Sequence, residues 1–272
     1  MTSDSRRRAV RVRRQMRRGA YLLPSLFTMG NIMLGFFGIV RAIGGDFKIA
    51  AVAIFAAGFL DGIDGRVARL TGTESEFGKE FDSLADAIAF GCSPALIAYL
   101  WALRPLDRLG WLIALYFLLC TVIRLARFNV QTKTTDSRYF VGLPSPAAAA
   151  VIVGLIYIAH DRTALEAGLN PEWLQQAMPF MVVLIGSLMV STFRYPSLKK
   201  VDLRRRLSYR GALVMATVVL VLVYYPEAFL PGLAFLFASL GPLGWLVGRL
   251  RRRPTEAPET GDASDLDPLE SS

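Results

Sequence analysis

DGIDGRVARLTGTESEFGKEFDSLAD, residues 61–86, sets four aspartates (Asp61, Asp64, Asp82 and Asp86) into a chain that is otherwise apolar enough for a bilayer. An aspartate at the centre of a membrane helix costs about 2.5–3.5 kcal/mol on insertion scales. Four in one hairpin therefore call for a compensating positive charge. At about 100° per residue, Asp61, Asp64, Gly65 and Ala68 share one helical face. Asp82 and Asp86, four residues apart, share a face of the next helix. The polar turn Thr71-Gly72-Thr73-Glu74-Ser75 makes the two helices antiparallel neighbours, so the two faces can oppose each other.

Oxygen-only ligands select hard cations such as Mg²⁺ or Mn²⁺, and His or Cys ligands for softer metals are missing from the stretch. Four carboxylates are more than one Mg²⁺ takes and fit two divalent cations, an arrangement that clamps both sides of a displacement at phosphorus. Gly65 and Ala68 then leave room for a diphosphate to approach the backbone. Arg69, one residue beyond that face, is placed for a phosphate oxygen. The competing reading pairs the aspartates with Arg66, Arg69, Lys79 and other arginines as interfacial salt bridges, which would not require the small residues.

Outward from the hairpin, the 272-residue chain is 53% hydrophobic, with a mean hydropathy of +0.41. Apolar runs near 24–43, 47–70, 81–103, 111–127, 145–160, 177–193, 211–225 and 229–247 approach the ~20 residues that cross hydrocarbon as helix. The runs are continuous rather than alternating, which predicts an all-α integral membrane protein with about eight transmembrane helices. Of the 31 Lys and Arg residues, 26 fall in segments 1–23, 64–80, 124–144, 194–210 and 249–272, which alternate with the predicted spans. This positive-inside pattern predicts that both termini are cytoplasmic. The net charge of +9 then reflects topology and attraction to anionic head groups, not nucleic acid.

Residues 1–23 read as a basic amphipathic helix on the cytoplasmic face, 24–248 as the transmembrane catalytic domain, and 249–272 as a basic then acidic disordered tail. The first apolar run is too long for a signal peptide and is read as a retained span. Cys92 and Cys120 fall within spans and imply no disulfide. His160, the single histidine, is expected to be solvated at the far membrane face. Every polar cluster within or next to a span lies at its cytoplasmic end. That suits chemistry at a membrane surface, whereas a transporter would carry polar groups through the midplane.

The spacing Asp61-x2-Asp64-Gly65-x2-Ala68-Arg69-x8-Gly78-x3-Asp82-x3-Asp86 resembles the motif of the CDP-alcohol phosphatidyltransferase family at all eight of its fixed positions. The resemblance implies a six-helix membrane core, a homodimer, and two divalent cations, Mg²⁺ or Mn²⁺, held by Asp61, Asp64, Asp82 and Asp86. It implies a cytosol-facing pocket for CDP-diacylglycerol lined by Gly65, Ala68, Arg69 and Gly78. It also implies that Asp86 doubles as the base for the incoming alcohol. Thr28 and Asn31, near the cytoplasmic end of span one, are assigned to the same lipid-nucleotide site.

The flanks resemble the membrane-embedded phosphatidylserine synthases within that family. They include Leu23-Pro24-Ser25-Leu26-Phe27-Thr28, Phe90-Gly91-x2-Pro94-Ala95, Arg124-Leu125-Ala126-Arg127-Phe128-Asn129, Gly142-Leu143-Pro144-x-Pro146 and Arg194-Tyr195-Pro196. Ser25 departs from the usual asparagine. The subfamily adds two helices to the core, which suits eight spans, and implies L-serine as acceptor, at the cell membrane with the site facing the cytoplasm. Arg124, Arg127, Asn129 and Arg194 are candidates for the serine carboxylate or the lipid phosphate. Glycerol 3-phosphate, inositol phosphate and choline stay open as acceptors, and a cation-coupled transporter as the reading from another class.

Overall fold

The computed structural model describes residues 26–71, 75–131, 139–161, 165–166, 168, 170–196 and 226–251. Helix α1 (Leu26–Ile43) turns through Gly44 and Gly45 into α2 (Phe47–Thr71). Gly45 adopts a φ of 85°, the left-handed geometry that lets the chain reverse. Helix α3 (Glu76–Asp86) continues through π-helical turns at Ala87–Cys92 and Tyr99–Leu103, with α4 (Ser93–Ala98) between them. A 3₁₀ turn at Arg104–Leu106 reverses the chain into α5 (Asp107–Gln131). Then come α6 (Ser145–Ala159), α7 (Pro171–Val190) and α8 (Pro226–Arg251).

The two π-helical turns share a cause. Each ends two residues before a proline, Pro94 or Pro105. A proline has no N–H for the carbonyl four residues back, and its ring crowds that carbonyl, so the ladder widens there. Ser93 Oγ donates to the Ile88 carbonyl at 2.8 Å, satisfying one group of the loosened turn.

Among the described residues, three helical runs are long and apolar enough to cross a membrane: Leu26–Ile43, Glu76–Val130 and Pro171–Val190. The second contains the reversal at Arg104–Leu106 and so holds both the third and fourth predicted spans. Helix α2 falls short because Lys48, Asp61, Asp64 and Arg66 lie within it, and α6 because it is short. Predicted segment 211–225, the N-terminal segment 1–23 and residues 252–272 of the tail lie outside the described residues. Helix α7 starts earlier than the sixth apolar run, 177–193, suggested, because Asn170 caps it by accepting from the Glu172 N–H at 2.8 Å.

Apolar burial drives little association between helices already in lipid, so close contact at small residues must hold them together. Helix α6, with the run Ser145-Pro146-Ala147-Ala148-Ala149-Ala150, touches α2, α7 and α8. A side chain at Gly154 would meet Pro231 at 2.9 Å, and one at Gly35 would meet the Ala89 backbone at 2.8 Å. Met29, Met33, Phe36, Phe37 and Val40 form an exposed stripe along α1.

Among the described residues, the fold is all-α apart from one short antiparallel ribbon between loops, in which β1 (Tyr139–Val141) pairs with β2 (Arg194–Pro196) and Val141 lies opposite Arg194. One detail corrects the sequence reading. His160 is half-buried rather than solvated. Its ring lies 5.5 Å from Phe47 and 6.0 Å from Trp101, and Nδ1 is 2.8 Å from the Ile156 carbonyl. Beside it Lys48 pairs with buried Asp161 at 2.9 Å, tying α2 to the end of α6.

Candidate active site

The carboxylates lie at the opposite end of α2 from Lys48, roughly 20 Å away at the helical rise of 1.5 Å per residue. Local chemistry fixes α3 at its start. Ser75 Oγ accepts from the Gly78 N–H at 2.9 Å, and a Cβ on Gly78 would sit 3.0 Å from that oxygen. Gly78, assigned to the nucleotide site, thus also belongs to the helix cap. From this start the i, i+4 spacing places Asp82 and Asp86 on one side of α3.

Asp61, Asp82 and Asp86 bring one carboxylate oxygen each to within 4.8 Å of one another. Asp64 is buried, and its Oδ2 accepts from Thr28 Oγ1 at 2.6 Å. The structure therefore groups three of the four aspartates directly and ties the fourth to α1. Among the described residues, none of the four forms an ion pair with Lys or Arg within 4 Å. Asp86 Oδ1 is buried without a hydrogen-bond partner. Clustered carboxylates with an orphaned oxygen fit a hard divalent cation, and the all-oxygen donor set suits Mg²⁺ or Mn²⁺.

Among the described residues, Arg124, on α5, is the positive group within electrostatic range of Asp86 and Asp61. Its Nη1 donates to Ser145 Oγ at 2.7 Å, while its Nε is buried without a partner. The other candidates separate from it. Arg127 Nη1 donates to the Val190 carbonyl at 3.3 Å, completing the end of α7. Asn129 Nδ2 donates to Ser83 Oγ at 2.9 Å, linking α5 to the carboxylate helix. Arg194 lies in β2, and its side chain is outside the described residues, as are those of Ala68 and Arg69.

Asn31 is 1% exposed, and neither its amide oxygen nor its nitrogen has a partner. A buried, unsatisfied amide one turn from Thr28 is the kind of group a bound polar molecule completes. Gly65 is exposed, and a Cβ there would meet nothing within 4 Å. Its surface is open, as an approaching ligand requires.

Sequence reasoning passed over Ser145, Ser83 and Ser93. Ser145 is the unspecified position of Gly142-Leu143-Pro144-x-Pro146, and its rigid flanks were the available signal. Gly142 has a φ of 83°, and a Cβ on it would collide with the Met189 carbonyl. The Gly142 N–H donates to the Phe193 carbonyl at 2.9 Å and the Leu143 N–H to the Leu188 carbonyl at 3.1 Å. This clamp onto the end of α7 sets where α6 begins.

A family model described as CDP-alcohol phosphatidyltransferase matches residues 21–188. A Helicobacter pylori protein named CDP-diacylglycerol–serine O-phosphatidyltransferase is 42% identical over 226 residues, covering 83% of this chain and 92% of its own. A Bacillus subtilis protein of the same name is 32% identical, over 65% of this chain and 92% of its own. An archaetidylserine synthase from Methanothermobacter thermautotrophicus is 34% identical, over 64% of this chain and 69% of its own.

Proposed function

The chain belongs to the CDP-alcohol phosphatidyltransferase family, and from that premise we propose that it transfers the phosphatidyl group of CDP-diacylglycerol to the hydroxyl of L-serine. The products are phosphatidylserine and CMP. The observation that carries the chemistry is the convergence of Asp61, Asp82 and Asp86 around an unpartnered carboxylate oxygen. The names of the relatives support serine as the acceptor.

Asp61, Asp64, Asp82 and Asp86 would hold two divalent cations, Mg²⁺ or Mn²⁺, and what these would supply is positive charge against the diphosphate and the departing CMP. Thr28 fixes the Asp64 carboxylate. Asn31, Gly65, Ala68, Arg69 and Gly78 line the side that takes CDP-diacylglycerol. Asp86 accepts the serine hydroxyl proton, and the seryl oxygen attacks the phosphorus that carries the diacylglycerol. The phosphorus–oxygen bond to CMP breaks in the same in-line step. Arg124 and Arg194 are the cations for the serine carboxylate or the lipid phosphate. Arg127 and Asn129, tied to Val190 and Ser83, support the surrounding helices.

The protein sits in the cell membrane as a homodimer with eight spans, its termini and active site facing the cytoplasm. Residues 1–23 lie along the interface, 24–248 form the catalytic domain, and 249–272 form a tail. The sign bias of the Lys and Arg residues supports this orientation.

Cation-dependent CMP release from CDP-diacylglycerol in mixed micelles, with and without serine, tests the reaction. Release should need both the cation and serine. Equal release with glycerol 3-phosphate, inositol phosphate or choline would reassign the acceptor, and no release with any alcohol would refute the enzyme. Arg194→Gln is expected to raise the KM for serine about tenfold, the size of one charge-assisted hydrogen bond, with little change for the lipid. Equal losses for both would give Arg194 to the lipid phosphate or to the ribbon.

A further inference from the structure

Among the described residues, the positive charge coupled to the carboxylate cluster, Arg124, is held by a side chain outside the proposed machinery. Arg124 interacts electrostatically with Asp86 and Asp61, yet forms no ion pair within 4 Å with either. Its one hydrogen bond runs instead to Ser145, at 2.7 Å. Ser145 is fully buried at the first turn of α6, and the clamp of Gly142 and Leu143 on the end of α7 fixes its place.

We propose that Ser145 is a positioning residue that holds the Arg124 guanidinium off the aspartates, leaving their oxygens to the divalent cations and the guanidinium to the anionic substrate. The proposal rests on reading the aspartates as a cation site. Without the Ser145 hydroxyl, Arg124 loses its hydrogen bond at Nη1 while its buried Nε already lacks a partner. A strong acceptor within electrostatic range, Asp86, has an unpartnered Oδ1. A buried donor left without an acceptor is costly, so the guanidinium turns to that carboxylate. It then opposes a divalent cation by like-charge repulsion at the same oxygens.

The role differs from packing in its sign and in its dependence on Arg124. Mn²⁺ binding to the purified full-length protein in detergent micelles, without substrate, is measured by electron paramagnetic resonance. Ser145→Ala should weaken Mn²⁺ binding about three- to tenfold, as expected for one charge brought closer in a partly screened site. Ser145→Thr, which keeps the hydroxyl, should bind as wild type. Arg124→Gln should tighten binding, and adding Ser145→Ala to it should change nothing further, because the two residues act through one contact.

Unchanged Mn²⁺ binding in Ser145→Ala overturns the proposal. So does an equal loss with or without Arg124, or a loss that threonine does not restore; either would make Ser145 a packing residue. A wild-type protein that binds no Mn²⁺ overturns the cation site and this proposal together. A wild type that binds Mn²⁺ and is indifferent to Ser145 overturns this proposal alone.

Discussion

Asp86→Asn is expected to lower cation-dependent CMP release by about 10³-fold, within the range that loss of a positioned general base produces. The exchange keeps the shape of the side chain and removes its ability to accept a proton. The structure makes the consequence sharp. Asp86 Oδ1 is buried with no partner to take over its role, and its neighbours in the cluster are two more carboxylates, Asp61 and Asp82. Binding of CDP-diacylglycerol should fall far less than turnover, because the nucleotide side of the pocket is built largely from other residues. The two quantities are separated by single-turnover kinetics and by equilibrium binding of the lipid. A variant that keeps more than about a tenth of wild-type turnover would remove Asp86 as the base.

Gly142→Ala is expected to shorten the half-life of the protein in detergent at elevated temperature by at least tenfold. At a φ of 83°, an L side chain costs about 1–2 kcal/mol before any collision. The added Cβ would also run into the Met189 carbonyl, part of a helix end that cannot shift without losing the Gly142 and Leu143 hydrogen bonds. Together these effects amount to about 2–4 kcal/mol. Detergent-solubilised membrane proteins often unfold irreversibly, so inactivation rate is the proper readout. Wild-type persistence would mean that the turn into α6 relaxes freely and does not set the position of Ser145.

Much of the helix inventory follows from local sequence. Apolar runs, the caps at Ser75 and Asn170, and prolines each act over a few residues, and the described helices lie close to the segments they predict. The spacing of Asp82 and Asp86 is equally local, since one turn of helix places them on the same side. Even the π-helical turns had a local cause in Pro94 and Pro105, although a count of apolar residues does not register it.

Other features were absent from that reading because their partners are far apart in the chain. Thr28 meets Asp64 across 36 residues, and Lys48 meets Asp161 across 113. Arg124 could be proposed as a cation for some anion from its place at a helix end. That it faces Asp86 and Asp61 while resting on Ser145 depends on how α3, α5 and α6 pack. The ribbon of Val141 and Arg194 likewise joins two loops that read separately as polar connections.

The sequence by itself determined the stretch on which the chemistry depends, because four aspartates in an apolar chain carry an energetic cost that spacing alone makes visible. The tertiary structure decided how those aspartates divide. Asp61, Asp82 and Asp86 come together, Asp64 is held by Thr28, and a buried serine holds the arginine opposite them. Helical periodicity sets which residues share a face, whereas only close packing at positions such as Gly35, Gly142 and Gly154 sets which faces meet.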